Sequence, residues 1–443
     1  MKSMRMKQSI LKNSILAFII LAGTILQLTA QENLSLSSAL ERALENNYGL
    51  IISRADRDIA SINNNPGNAG RYPTVGFDAS ENSSYDLRGE TWSNRFNAGV
   101  GLNWVLFDGF RVTITKGKLE DLENLSEGRL GVMIESTIED VILSYYNVLL
   151  QQEELKVLRS VMELSEDRYN YEEERKALGG SITYDVLQAK NTWLTDKANF
   201  MSQEVALRNA VRSLNFMIGE QPVVTWNFTE AFEADTSEYR MADLLEKMTS
   251  SNQSLKNQYT SLLLAEKETS LKRANYSPTL SLGAGVDLNE SWTATGTGST
   301  FITGSLSPYS NLRLSYDIYS AGVRRRSVEV ARINEEVARI QIREMKHALT
   351  NELFNLMDYY QVRTELLKVA EENLAAAELN LSISEEKYRS GVINSFNYRD
   401  IQLIYLYAAL GQLQSVYNLV NTSTQLTRIT GGFLNPQEAE NQR

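Results

Sequence analysis

The stretch FNAGVGLNWVLFDGFR, residues 96–111, decides the fold. From residue 96 to residue 106 every second residue is apolar, and the residues between are mostly small or polar. The apolar residues are Phe96, Ala98, Val100, Leu102, Trp104 and Leu106. A period of two predicts a β-strand with one apolar and one polar face. At Asp108-Gly109 this pattern ends and a long helical pattern begins. The apolar face can lie on a soluble core or against lipid, and the rest of the chain must decide between them.

The composition excludes several classes of protein. The chain has 443 residues, of which 42% are hydrophobic, too few for a bundle of membrane-spanning helices. It has no cysteine, which excludes disulfides, thiolate metal ligands and lipid-modified cysteine. Its one histidine, His347, lies in a helical pattern, where a surface or packing role is commoner than a ligand role. We therefore predict no cofactor and no metal site.

Residues 1–30 have the pattern of a secretory signal peptide. Basic residues precede a short apolar run at 15–26, and the small Ala30 offers a cleavage position before Gln31. An uncleaved membrane anchor is the alternative. The remaining chain is acidic, with 55 Asp and Glu against 40 Lys and Arg once the four basic residues of this segment are removed. That balance argues against binding to nucleic acid.

The first half continues with a predicted helix over 34–61 and a hairpin whose first strand covers 74–80. From residue 110 to about 178 the pattern is helical, with apolar residues at intervals of seven. These residues are Ile134, Val141, Val148, Leu155, Met162 and Tyr169. Sustained heptads predict a coiled coil, here roughly 100 Å long. Gly179-Gly180-Ser181 ends it, and a return helix follows over 184–217.

The second half repeats this order: a helix over 244–272, a hairpin, a long helix, a glycine and a return helix. Its long helix again has apolar residues at intervals of seven: Leu353, Tyr360, Leu367, Leu374, Leu381 and Tyr388. We therefore predict an internal tandem duplication. The predicted parts are a signal peptide at 1–30, a first repeat at 31–219 with β-hairpin 74–107 and tip 179–183, a connector at 220–240, a second repeat at 241–432 with β-hairpin 279–319 and tip 391–395, and a polar tail at 433–443.

The four predicted strands are about ten residues each, the length that a tilted strand needs to cross a bilayer. Aromatic residues near their ends, such as Tyr72, Trp92, Trp104 and Trp292, suit a membrane interface. A soluble sheet would show the same alternation. Four strands cannot close into a barrel, however, and an open edge is not tolerated in lipid. A membrane-inserted chain must therefore oligomerise. Two copies would give eight strands, whose interior side chains would fill, and three copies would give twelve strands around an aqueous lumen.

The chain resembles an outer-membrane efflux protein of the TolC family. The resemblance covers nearly all of the mature chain and rests on the duplicated layout together with five segments: 71–73, 106–109, 178–189, 276–278 and 388–397. It implies an α+β membrane protein, namely a homotrimer with a twelve-stranded outer-membrane β-barrel, four strands per chain, continued by a long antiparallel coiled-coil α-helical tunnel in the periplasm. It also implies as partners a periplasmic adaptor protein, an inner-membrane pump or ABC exporter, and outer-membrane lipid.

The glycine breaks are predicted to be the periplasmic tips of the helical hairpins, and at the least they stop the helices. The resemblance assigns adaptor contact to the tip residues Gly179, Gly180, Gly391, Val392 and Arg389.

The resemblance also places pore-constriction carboxylates six and nine residues after the second tip glycine. These positions hold Asn397, which departs from the pattern, and Asp400. The equivalent positions in the first half hold Asp185 and Gln188. Three copies of Asp400 would form an acidic ring that favours cations, and Arg399 is predicted to pair with Asp400 and hold the tip shut. Ordinary solvated positions on a helix are the alternative for each residue.

No nucleophile elbow, P-loop, zinc motif or catalytic carboxylate pair is present in the sequence, so we predict that the protein is not an enzyme. The predicted function is the outer-membrane channel of a tripartite efflux or type I secretion system, a passive exit duct for small molecules or exported polypeptides. The alternative is a non-spanning periplasmic coiled-coil adaptor whose strands form a small soluble sheet.

Overall fold

The computed structural model describes residues 32–295, 298 and 300–434. The predicted signal peptide and most of the predicted polar tail lie outside the described residues. The described chain divides into two units. The first comprises residues 32–48, 136–239 and 355–428, and the second comprises residues 49–135, 240–354 and 429–434.

Helices make up most of the described chain. They are α1 (Leu36–Asn46), α2 (Tyr48–Asn63), α3 (Arg111–Ala177), α4 (Thr183–Met217), α5 (Met241–Ser251), α6 (Gln253–Ala274), α7 (Val323–Arg389) and α8 (Ser395–Ile429). Helices α3 and α7 each have 67 residues, and α4 and α8 each have 35. Among the helices that the structure describes, none is long and apolar enough to cross a membrane.

Each predicted short helix is in fact two helices, and an asparagine marks the break. Asn47 lies between α1 and α2, and its side-chain amide donates to the Met217 carbonyl at 2.9 Å. Asn252 lies between α5 and α6, where its amide donates to the Ile429 carbonyl at 3.0 Å. Its side-chain oxygen also accepts the Leu255 N–H and so caps α6. The single-helix prediction was wrong because the apolar spacing continues through the break, whereas an asparagine that bonds to backbone competes with the helix.

Residues 220–240 are more than the predicted connector, because they contain strand β4 (Trp226–Phe228). It pairs in parallel with β1 (Glu32–Leu34). Leu34 and Trp226 are both buried in the core of the first unit, where the Tyr145 hydroxyl donates to the Leu34 carbonyl at 2.8 Å. The sequence did not reveal this sheet because three-residue strands are too short to show an alternation.

The second unit contains a four-stranded antiparallel sheet with the order β2-β3-β5-β6. Its strands are β2 (Thr74–Asp86), β3 (Thr91–Phe107), β5 (Thr279–Thr295) and β6 (Thr300–Ser315), with 13, 17, 17 and 16 residues. They are thus longer than the ten residues predicted. Pairing of β3 with β5, for example Val100 with Val286, joins the two hairpins into one sheet. In the described chain β2 and β6 are its edges.

The register of the sheet places the apolar alternations on one face as far as Trp104, after which a register shift in β3 pairs Phe107, and not Leu106, with Leu280. One row across the four strands is Phe77, Val100, Val286 and Pro308, and the next row on the opposite face is Asp78, Gly99, Asp287 and Ser307. The apolar face is uncovered, since Phe77 is 73% exposed and Leu306 is 69% exposed. A soluble sheet would bury these side chains against a core, and the described residues provide none on this face.

The strands pass into the long helices through tight turns with left-handed backbone conformations. Gly109 precedes α3 with φ +70°, and Gly322 precedes α7 with φ +74°. A Cβ atom at Gly109 would lie 2.6 Å from the Ser277 Cβ and 2.7 Å from the Ala274 carbonyl oxygen. Glycine is therefore required at this position both for its conformation and for lack of space.

Candidate functional site at the helix tips

The two helical hairpins of the first unit turn in the same way. Gly179 follows α3 with φ +78°, and Gly391 follows α7 with φ +76°. In each turn the next residue closes the helix end: the Gly180 N–H donates to the Arg175 carbonyl at 2.7 Å, and the Val392 N–H donates to the Lys387 carbonyl at 2.8 Å. This is the hydrogen-bond pattern that commonly ends a helix at a left-handed glycine.

The residues predicted to contact an adaptor are exposed at these turns. No heavy atom lies within 4 Å of the Cβ position at Gly179 or Gly391, and Val392 is 71% exposed. The Arg389 guanidinium binds the Glu385 carboxylate of its own helix at 2.9 Å, a surface pair that contributes little stability. The tips thus present backbone and the apolar side chains of Val392, Leu178 and Ile182 to solvent.

The predicted constriction residues do not meet within one chain. Asp400 is exposed, and its carboxylate forms no hydrogen bond or ion pair with the residues that the structure describes. Asn397 is exposed, and its backbone N–H donates to the Asn394 side chain at 2.9 Å. Asp185 is half-buried in the first turn of α4, and Gln188 is exposed one turn later.

Arg399 does not pair with Asp400, so that prediction was wrong. Its guanidinium instead binds Asp196 of α4 through two hydrogen bonds, Nη1 to Oδ2 at 2.7 Å and Nη2 to Oδ1 at 2.9 Å. Both side chains are largely buried, with 15% of Arg399 and 4% of Asp196 exposed. Adjacent residues of a helix point about 100° apart, which turns Arg399 toward the first hairpin while Asp400 faces solvent.

Glu172 of α3 forms a second connection between the hairpins. Its buried carboxylate accepts hydrogen bonds from the Tyr388 hydroxyl of α7 and from the Ser181 hydroxyl, both at 2.6 Å. Arg175 lies 3.3 Å away on the same helix. Burial, and then the hydrogen bond to Glu172, raises the pKa of the Tyr388 hydroxyl. That hydroxyl therefore remains a donor throughout the physiological range.

Arg168 is the fourth buried charge at this site. Its Nη1 donates to the Ser395 carbonyl at 3.2 Å, while Nε and Nη2 are buried without a hydrogen-bond partner. Burial lowers the pKa of this guanidinium, and the positive charge of Arg399 lowers it further. A buried cation with neutral acceptors alone is costly, and here the carboxylates of Asp196 and Glu172 offset the two positive charges of Arg168 and Arg399.

Glu172, Arg168, Asp196, Arg399 and Tyr388 form what is here called the tip network. From the sequence, only Arg399 was predicted as a gate residue and Tyr388 as a seam residue, and the network itself was not predicted. The sequence feature that could have identified the tip network is the buried face of α3 near its C-terminal end. The predicted seam residues Met162 and Tyr169 are half-buried, whereas the neighbouring positions 161, 165, 168 and 172 are fully buried. Polar residues at three of these four positions concealed the seam from an apolar pattern.

The described residues include no group of three or more His, Asp or Glu side chains that could hold a metal ion.

The comparisons with known proteins agree on one family. The profile of the outer membrane efflux protein family matches residues 39–220 and 244–432. The cation efflux system protein CusC of Escherichia coli O157:H7 is 19% identical over 402 residues, 89% of this chain and 85% of CusC. The probable outer membrane lipoprotein SilC of Salmonella typhimurium is 19% identical over 401 residues, 90% of this chain and 86% of SilC.

The fold agrees with this assignment. The crystal structure of the Campylobacter jejuni CmeC outer membrane channel superimposes with a TM-score of 0.72 at 15% identity, over 92% of this chain and 88% of CmeC. Because the family profile matches both halves, and together most of the sequence, the chain belongs to the outer membrane efflux protein family.

Proposed function

We propose that three copies of this outer-membrane efflux protein form a passive exit duct, in which each copy contributes four strands to a twelve-stranded barrel and its helices to a periplasmic tunnel. The observation that carries the proposal is the sheet of the second unit, with an uncovered apolar face and two long edges, β2 and β6. Unpaired edges are not tolerated in lipid, and pairing β6 of one copy with β2 of the next removes them.

The tandem duplication belongs to the same proposal. It is supported by the equal lengths of α3 and α7 and of α4 and α8, and by the family profile, which matches each half separately. Asn47 and Asn252 also make equivalent hydrogen bonds to the ends of α4 and α8. With two similar β-hairpins in each chain, a trimer would have six similar β-hairpins around the barrel.

At the tips, the exposed Gly179, Gly391 and Val392 support contact with a periplasmic adaptor, which in turn engages an inner-membrane pump or exporter that supplies the energy. The unpaired and exposed carboxylate of Asp400 supports a role at the constriction. Three such carboxylates related by threefold symmetry would form an acidic ring that favours cations. Movement of α8 could widen or narrow this ring. The cargo would be small molecules or exported polypeptides.

The proposal is tested with the full-length protein extracted from membranes in detergent. Native mass spectrometry is expected to give a trimer, and planar-bilayer recordings are expected to give stepwise conductance. A monomer without conductance would overturn the proposal.

Two neighbouring substitutions in β6 test the orientation of the sheet. Leu306→Asp places a charge on the apolar face and is expected to block insertion, whereas Ser305→Asp places it on the polar face and is expected to insert. Equal insertion of the two variants would remove the lipid-facing assignment and favour the periplasmic adaptor alternative.

A further inference from the structure

Arginines cluster where the sheet passes into the long helices of the second unit. Arg111 is the first residue of α3, and Arg324, Arg325 and Arg326 lie in the first turn of α7. Neither first turn contains an acidic residue. The N-terminus of a helix carries positive partial charge, so cations there oppose the helix dipole. Helix stability therefore does not account for their position.

The arginines of this cluster have no carboxylate partner among the described residues. Arg324 donates to the Ser320 hydroxyl at 3.2 Å and to the Asn275 carbonyl at 3.3 Å, and Arg326 donates to the Ala321 carbonyl at 3.1 Å. Arg111 donates to the Asn275 side chain, and Arg325 is exposed. All of these acceptors are neutral, so the cluster retains its positive charge.

Aromatic and apolar side chains surround the cluster. The Arg324 guanidinium lies over the Tyr276 ring at 5.4 Å and the Tyr316 ring at 5.7 Å. Tyr319 is 86% exposed. Leu314, close by at the end of β6, belongs to the uncovered apolar face. Arginine and tyrosine at the border of an apolar band form the arrangement that proteins use where hydrocarbon meets phosphate.

We infer that Arg324, Arg325 and Arg326 bind the phosphate headgroups of anionic glycerophospholipids in the leaflet that meets the helical side of the barrel. The inference rests on the proposed insertion of the sheet into a membrane. The guanidinium fork matches a phosphate with two parallel hydrogen bonds, and the neighbouring rings accommodate the glycerol and upper acyl region. The apolar face above the cluster receives the acyl chains. The lipid phosphate then acts as the anionic partner of these arginines, in place of a carboxylate.

The test uses the detergent-solubilised full-length protein titrated with short-chain phosphatidylglycerol or phosphatidylcholine, with bound lipid counted by native mass spectrometry. Two variants are compared with wild type: the double variant Arg325→Gln with Arg326→Gln, and the single variant Arg325→Gln. The single variant leaves every hydrogen bond of the cluster intact. Arg343→Gln is the control, because Arg343 is an exposed arginine about 27 Å further along the same helix. We expect wild type to prefer phosphatidylglycerol, and each arginine removed to weaken that preference about fivefold.

Three outcomes would overturn the inference: equal binding of the two lipids by wild type, an equal loss in Arg343→Gln, or displacement of phosphatidylglycerol by inorganic phosphate at comparable concentration. A fourth is a changed ion selectivity of the double variant with its lipid preference intact, which would place the arginines in the pore. Bilayer conductance separates the two proposals. A conducting wild type without lipid preference contradicts only this inference, whereas a non-conducting protein that still prefers phosphatidylglycerol contradicts only the channel.

Discussion

Asp196→Asn is expected to loosen the tip selectively. The substitution keeps the size of the side chain but removes the charge that balances Arg399, which is 15% exposed. Arg168 lies in the same network with two unpartnered donors, so the variant holds two buried cations close together. Removing one partner of a buried ion pair costs about 3–5 kcal/mol. Because asparagine can retain one hydrogen bond, we expect about 3 kcal/mol.

Hydrogen exchange measured by mass spectrometry over the end of α7 and the start of α8 reports this loss locally. A loss of about 3 kcal/mol corresponds to roughly 100-fold faster exchange of amides that exchange through separation of the hairpins. Asp167→Asn is the matched control, because Asp167 is an exposed carboxylate near the same tip. The double variant Asp196→Asn with Arg399→Gln should recover more than half of the loss, since both members of the pair are then neutral.

Equal exchange rates in the Asp196→Asn and Asp167→Asn variants would refute the reasoning. It would also be refuted if the double variant lost as much stability as the two single variants together, as judged from its exchange rate. Conductance addresses the link to gating. If separation of the hairpins opens the pore, the Asp196→Asn channel should be open for a larger fraction of time than wild type. Faster exchange with unchanged conductance would make the tip network structural only.

Three further predictions concern Tyr360, Gly109 and Asp400. Tyr360→Phe removes the hydrogen bond from the Tyr360 hydroxyl to the Ser237 carbonyl, 2.6 Å long, and should cost about 1 kcal/mol near neutral pH. Burial raises the pKa of Tyr360 to about 12, so the unfolded chain loses this proton first and wild type loses stability between about pH 10 and pH 12. The thermal stabilities of wild type and variant should therefore converge as the pH rises, and a constant difference would contradict this. Gly109→Ala combines a left-handed φ with a Cβ 2.6 Å from Ser277 and should cost at least about 1–2 kcal/mol in thermal unfolding, whereas Gly76→Ala, with no atom within 4 Å of the Cβ position, should cost much less. Asp400→Asn should reduce the cation preference seen in reversal potentials, and Asn397→Asp should increase it; unchanged preference in both would remove these residues from the constriction.

The long helices and the hairpins were predictable because each has a periodicity that one sequence can show. The strand lengths were not, and the register explains why. Beyond Ala79 and Leu288 the apolar alternation ends, and the next row on that face holds Glu81, Phe96 and Glu290. Backbone pairing continues past this row because its hydrogen bonds do not require apolar side chains. An apolar pattern therefore measures the band that can meet lipid, whereas the strands extend beyond it.

The tip network shows a different limit. The sequence pattern predicted the glycine turns, and the family resemblance pointed to Asp400, because a turn and a short offset along one helix are local features. The partners of Arg399 and Tyr388 lie 203 and 216 residues away in the chain, so nothing local identifies them. Their positions face inward only because the two hairpins pack together. From the sequence, charged residues at such positions are predicted to lie on a solvated helix surface, whereas in the structure they are buried.

The location of these charges bears on whether the tip can open. Further from the tip, α3 has Val141, Tyr145 and Val148, which pack in an apolar core with residues of α1 and α4. Near the tip a different face of α3 is buried, and it has Ser165, Arg168 and Glu172. A buried ion pair often stabilises a packed interface less than apolar residues of similar volume, because desolvation offsets most of its attraction. Separating the hairpins at the tip should therefore cost less free energy than separating an apolar interface of similar volume, and each charge regains water when they part.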